Sequence, residues 1–302
     1  MIDAIGVAIP ARDEAESIAT CLASIAAAAE RIAVPVTVVL AADTCLDDTV
    51  ARAWATALAT GLDLEVVPCQ VGAAGLARRA AGRRVLERLD EGGVPVERTW
   101  IASADADTHV PADWFVRQLA WEACGLDGVA GLVDIGPDAS PQMRALFEMA
   151  TISEGRGPGH RHVHGANLAV RGSTLRAVGG FPSVALGEDH ELWMRLAAIP
   201  ARIHGVVDMT VVTSRRLTSH TVGGFATYLS DLTARPEPPK QVEGTPRPVL
   251  GGAPNAPRLL PGDALRTPGA RARQRSPAGT SSDVVRADAG HRAAPGLNRQ
   301  LQ

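Results

Sequence analysis

Two carboxylates one residue apart, Asp105 and Asp107, follow directly on a short apolar run at residues 99–102. At the end of a strand, such a pair puts hard oxygen ligands into one space, which suits Mg2+ or Mn2+ shared with substrate phosphates. An isolated Asp-x-Asp is more often a solvated turn, so its position has to decide. A second acidic pair, Glu188-Asp189, follows Gly187 and precedes Trp193 and Arg195. It reads either as a helix cap or as a general base, and a helix N-terminus favours its charged form. Arginines 78, 79, 83 and 84 crowd one segment. A guanidinium suits phosphate oxygens, although a row of charges on a helix is usually a solvated face. His160, His162 and His164 alternate, so on a strand they would face one side and could bind Zn2+ or Ni2+. Their neighbours Gly155, Gly157, Pro158 and Gly159 favour a lid-like loop instead.

The elements around these residues alternate. Residues 5–9 read as a buried strand ended by Pro10. Ile18, Leu22 and Ile25 then recur at helical spacing, with Asp13, Glu14 and Glu16 in the expected first turn. Strands at 36–40, 64–67 and 99–102 alternate with helices at 49–62, 76–89 and 111–124. Such alternation over about 120 residues predicts an α/β fold with a parallel sheet covered on both faces. Ligands then sit beyond the carboxyl ends of the strands, which is where the Asp105–Asp107 pair falls. The second half predicts strands at 129–135 and 164–170, helices at 143–154 and 186–197, and one or two short strands within 202–212. From residue 234 the chain is rich in Pro, Gly, Ala and Arg without periodicity, and is expected to be a disordered tail.

With those positions fixed, the chain resembles a family 2 glycosyltransferase of the GT-A fold, non-processive, over about residues 3–230. The segments carrying the resemblance are Ile9-Pro-Ala-Arg-Asp-Glu14, Asp43-Thr-Cys-Leu-Asp-Asp-Thr49, Ala77-Arg78 with Gly82, Asp105-Ala-Asp107, and Gly187-Glu-Asp189 with Trp193 and Arg195. The resemblance implies a mostly parallel sheet flanked by helices, with residues 1–125 as a nucleotide-binding half and 126–233 as an acceptor half. It implies transfer of a sugar from a nucleotide-diphosphate donor to an acceptor hydroxyl, with inversion and with Mg2+ or Mn2+. Pro10, Ala11, Arg12, Glu14, Arg78 and Ala106 would line the donor site, and Asp43 would recognise the base. Asp107 would touch the metal, and Asp105 the ribose or the metal. Asp189, with Glu188 beside it, would supply the base that deprotonates the acceptor; its pKa is expected to rise by burial against Trp193. Asn167 would position substrate, and His220 or Arg215 would approach the metal or diphosphate. Ser103 and Ala104 stand where many members carry another Asp, and the Gln-x-x-Arg-Trp of processive synthases is missing. The expected donor is a UDP-sugar, with GDP or TDP as alternatives; the acceptor is undefined. A catalytically impaired nucleotide-sugar binder and a nucleotidyltransferase are the competing functions.

Composition excludes other classes. Residues 235–302 hold 11 Lys/Arg against 5 Asp/Glu, leaving 19 basic and 28 acidic residues, a net of −9, in residues 1–234. An acidic body of this kind argues against nucleic acid as a partner. No apolar run reaches the roughly 18–20 residues of a transmembrane segment, and no secretion signal is apparent. Cys21, Cys45, Cys69 and Cys124 lack metal or disulfide spacing. The expected location is cytoplasmic.

Overall fold

A computed structural model describes residues 1–137, 139–145, 147, 160 and 162–214. The chain divides into two units, Met1–Pro248 and Val249–Gln302, and all described residues belong to the first. The expected boundary at residue 234 and the tail beyond it lie outside the described residues. So does most of the expected 143–154 helix, of which 143–145 and 147 are helical.

Among the described residues, seven strands form one sheet in the order β3-β2-β1-β4-β6-β5-β7. They are β1 (Ala4–Ala11), β2 (Val36–Asp43), β3 (Asp63–Cys69), β4 (Thr99–Ser103), β5 (Gly128–Asp134), β6 (Leu168–Arg171) and β7 (Ile203–Val212). β1 to β4 pair in parallel, and β5 pairs in parallel with β7. Only β6 runs antiparallel, against both β4 and β5. Its N-terminal end therefore lies at the same sheet edge as the carboxyl ends of the other six, the edge where α/β sheets bind ligands.

Among the described residues the helices seen over their whole length are α1 (Ile18–Ala29), α2 (Thr49–Thr60), α3 (Ala74–Glu91), α4 (Trp114–Ala123), α5 (Gly172–Ala177) and α6 (Glu188–Ala197). Strand β1 explains their placement. Ile5, Val7 and Ile9 point to one face, where they pack with Ile18, Leu22 and Ile25 of α1, Ala53 and Ala57 of α2, and Trp114 and Phe115. Ala4 and Ala8 point to the other, with Ala77, Ala81, Val85 and Leu89 of α3 and Leu192 and Leu196 of α6. Small residues on that second face let α3 approach closely; a Cβ on Gly6 would overlap Val85.

Three expectations are corrected here. Pro10 does not end β1, which continues to Ala11 in register with Ala42. The β4 ladder stops at Ala8, whose carbonyl accepts Ala104 N–H, and Pro10 points to the same side, so its missing N–H costs no ladder bond. Helix α1 begins at Ile18, because Asp13 takes φ +52° and the Glu14 carbonyl accepts the Ser17 and Ile18 N–H groups in a turn. Asp13, Glu14 and Glu16 therefore precede the helix. The six-residue α5 was not expected, and 165–167 form a 3-10 turn ahead of β6 rather than strand.

Candidate functional site at the carboxyl edge of the sheet

Segment 104–109 leaves β4 and is pinned on both sides. Thr108 N–H bonds Asp105 O at 3.0 Å, and His109 exchanges two backbone hydrogen bonds with Val212 at the end of β7. Cys21 Sγ lies 3.4 Å from the Asp105 carbonyl. The buried Thr213 hydroxyl donates to Asp107 Oδ1 at 3.3 Å. Thr213 was not legible as a site residue, because nothing in the sequence links it to a turn 106 positions earlier. The Asp105–Asp107 pair is thus held at the ligand edge and is not a free surface turn.

Arg78, on α3, reaches this segment through the interior. Its Nε donates to Ser103 Oγ at 2.9 Å, and its terminal nitrogens pair with Asp105 and with Glu188 at the start of α6. Ser103 Oγ–H donates to Gly165 O at 2.7 Å, and Gly165 N–H donates to Asp189 Oδ2 at 2.9 Å. A Cβ on Gly165 would overlap the Arg78 guanidinium, so glycine is required for this approach. One connected network therefore joins α3, β4, the turn before β6, and the N-terminus of α6.

The charges follow from this crowding. Burial first, then Asp107 and Asp189, push the Asp105 carboxyl up to about 6 against the opposing pull of Arg78. Although 37% of its side chain meets solvent, an upward shift is what clustered carboxylates require. Asp189 goes the other way. Burial raises it, but hydrogen bonds from the His190 ring and backbone, together with Arg78, outweigh this and hold it at about 2. The expected rise of Asp189 by burial against Trp193 is therefore overturned.

The expected donor-side residues gather at the ends of β1 and β2. The buried Asp43 accepts Val71 N–H at 2.8 Å and Gly72 N–H at 3.2 Å through one oxygen. Glu14 N–H donates to Thr49 Oγ1, and Asp47 accepts Ala15 N–H and Thr49 N–H, which laces the two loops together. Asp48 is the N-cap residue of α2 but makes no side-chain capping bond. Arg12 Nε is buried without a hydrogen-bond partner. Thr44, beside Asp43, takes φ +55°, an uncommon strain for a β-branched residue and one that favours functional edges.

Other expectations change. Asn167 is fully buried and its amide is committed: it donates to Leu132 O and Met209 O at 2.8 Å and accepts Trp114 Nε1–H at 2.9 Å. It braces the sheet through three internal hydrogen bonds. Arg79 donates to the Gly179 and Phe181 carbonyls, and Arg84 and Arg88 bond Glu65, so only Arg83 of the expected solvated row makes just an exposed pair, with Glu87. His160 and His162 are buried with ring centroids 5.6 Å apart, and His164 stacks on His162 at 6.0 Å. The described residues among 160–164 are not in a strand, so the conditional one-sided strand does not form, although the three rings lie next to one another. Residues 155–159, and with them the expected lid, lie outside the described residues, as do Arg215 and His220. Among the described residues no group of three or more His, Cys, Asp or Glu is arranged to hold a metal ion. Two carboxylates alone fit a Mg2+ or Mn2+ ion whose remaining ligands come from substrate and water.

A cavity of about 420 Å3, lined by Asp134, Gly136, Pro137, Arg144 and Val212, opens at the ends of β5 and β7. Among the described residues no helix is long and apolar enough to cross a membrane. No family model matches the chain, and no curated protein does. Solved structures do. S. aureus TarS in complex with UDP-GlcNAc superposes with a TM-score of 0.54 at 17% identity, over 74% of this chain and 61% of that one. A mannosyltransferase from Pyrobaculum calidifontis in complex with GDP-Man and Mn2+ gives 0.53 at 19% identity, over 71% and 57%. The chain thus matches about three fifths of the length of each, and what it shares with them is the GT-A fold.

Proposed function

We propose that the chain is a glycosyltransferase moving a sugar from a nucleotide-diphosphate donor to an acceptor hydroxyl, with inversion. The observation that carries this is the convergence of Asp105, Asp107 and Asp189 on one sheet edge, from β4 and α6. The nucleotide sugars bound to the two structural neighbours support a donor of that class, with UDP first and GDP or TDP as alternatives. Asp105 and Asp107 would hold Mg2+ or Mn2+, and such an ion would supply positive charge against the departing diphosphate. The orphaned Arg12 N–H at the end of β1 offers the donor a further contact. Asp43, buried and braced through one oxygen by the 71–72 backbone, would recognise the base with its other oxygen.

Asp189 orients the acceptor hydroxyl and takes its proton. With a pKa of about 2 it is a weak base, so the transfer runs late, as the new C–O bond makes the hydroxyl acidic. The cavity between Asp134 and Arg144 suits the acceptor, since it adjoins Thr213, whose hydroxyl rests on Asp107. All four cysteines are free thiols, which fits a reducing, cytoplasmic setting. The second reading, a nucleotide-sugar binder without turnover, is favoured by the low basicity of Asp189, whose two oxygens already accept hydrogen bonds.

The test is a thermal-shift titration with UDP, GDP, TDP and CDP, with and without Mn2+, on wild type and Asp107→Ala. At a hundredfold excess over Kd, binding contributes about 2.7 kcal/mol, or about 5–10 °C for a body of this size. A metal-dependent shift lost in Asp107→Ala supports the donor site and names the base. Metal-dependent donor hydrolysis then separates enzyme from binder. No shift with any nucleotide sinks both.

A further inference from the structure

We propose that Arg78 is a built-in counter-cation for the carboxylate cluster, which a divalent ion must share at Asp105 and cannot displace. This rests on the reading above that Asp105 and Asp107 hold the metal. Four carboxylates, Asp105, Asp107, Glu188 and Asp189, gather around this edge, and Arg78 is the buried cation within bonding reach of two of them. Its partners differ in access. The Glu188 side chain is 8% exposed and that of Arg78 4%, whereas Asp105 retains 37%. An incoming ion reaches Asp105 from solvent, while Glu188 and Ser103 keep hold of the guanidinium from behind. Arg78 has no room to swing aside, because the Gly165 backbone packs directly against it.

The consequence is a linkage between metal and donor. Without a donor, the fixed positive charge of Arg78 beside Asp105 opposes a second cation. The donor's diphosphate adds negative charge and removes that opposition, so metal and donor bind together and neither binds well alone. At a solvent-like dielectric, a unit charge about 5 Å from a divalent ion changes its affinity on the order of tenfold.

Mn2+ binding to the full chain, read from the EPR signal of the free ion, tests this without reference to activity. Glu188→Gln is the background, so that removing Arg78 does not orphan a buried charge. Arg78→Met and Arg78→Gln are each added to it; the glutamine keeps donors toward Ser103 without the charge. Either variant that retains its near-UV circular dichroism is expected to bind Mn2+ about tenfold more tightly than Glu188→Gln alone. Equal or weaker binding in the charge-free variants overturns the proposal. Loss of the near-UV signal in both also overturns it, since Arg78 would then be a folding requirement and not a separable counter-cation. Asp107→Ala distinguishes the two layers: if it binds Mn2+ as wild type does, the metal site itself is misplaced. If it loses Mn2+ while removal of Arg78 brings no tightening, only the counter-cation role fails.

Discussion

Asn167→Ala is expected to cost stability rather than chemistry. The side chain makes three hydrogen bonds of 2.8–2.9 Å, to Leu132 O, Met209 O and Trp114 Nε1, and none of it is exposed. Truncation orphans an indole N–H and two carbonyls in the interior. Each buried orphan costs about 1–3 kcal/mol. Because water can enter the space the amide vacates and satisfy part of this, we place the total at about 3–5 kcal/mol, a large share of an ordinary 5–15 kcal/mol stability. Urea unfolding followed by tryptophan fluorescence should show a lower midpoint with an unchanged slope, and the melting temperature should fall by roughly 10 °C. Gly131→Ala is a corroborating variant, since its Cβ would overlap the Asn167 amide without removing it. The reasoning is refuted if Asn167→Ala stays within 1 kcal/mol of wild type while losing sugar transfer. That outcome returns Asn167 to the substrate.

Two further expectations concern the sheet and the histidine row. Gly6→Ala places a methyl group against Val85 and should destabilise by about 1–3 kcal/mol; adding Val85→Ala should recover part of that, and strictly additive losses in urea would show that the two do not touch. His160 and His164 are both held below the ordinary imidazole value, first by burial, and His164 sits at about 4. Their neutral forms are the ones that fold, so this contribution is complete above pH 6.5 and is lost as pH falls toward 4. Urea midpoints of wild type at pH 7.5, 6.0 and 5.0 should therefore fall more steeply than those of His164→Gln, and parallel lines would contradict the assignment.

Local pattern made most of the fold legible. Ile18, Leu22 and Ile25 mark the buried stripe of α1, and the apolar runs near 5, 36, 64 and 99 are β1 to β4, four of the parallel strands. Failures came where a distant partner overrode a local rule. Pro10 reads as a strand terminator, yet it is tolerated because the β4 ladder has already ended beside it. Asp13 and Glu16 read as favourable first-turn charges, but a left-handed Asp13 delays the helix. Asn167 reads as a polar residue available to substrate; its burial depends on Trp114, Leu132 and Met209, none of them within 30 positions of it.

The site was legible in part, for a related reason. Residue type and spacing identify acids: Asp105-Ala-Asp107 after a strand and Glu188-Asp189 at a helix start are visible without coordinates. What each acid does depends on its counter-charge, and that is a property of the assembled sheet. Glu188 and Asp189 are adjacent in sequence but point into different surroundings. Glu188 turns inward to the Arg78 guanidinium, whereas Asp189 takes N–H donors from Gly165 and His190. Asp105 and Asp189 diverge too, one pushed up to about 6 and the other held at about 2. The division follows from partners: Asp189 is held down by the His190 ring and backbone N–H and by Arg78, whereas burial raises Asp105, which shares one guanidinium with Glu188 beside two like charges. Gly165 is the hinge of this arrangement, because its missing side chain lets Arg78 sit where it serves Asp105 while its N–H serves Asp189. A glycine in a short turn gives no sequence signal of that double duty, and only the crossing of α3 behind β4 makes it necessary.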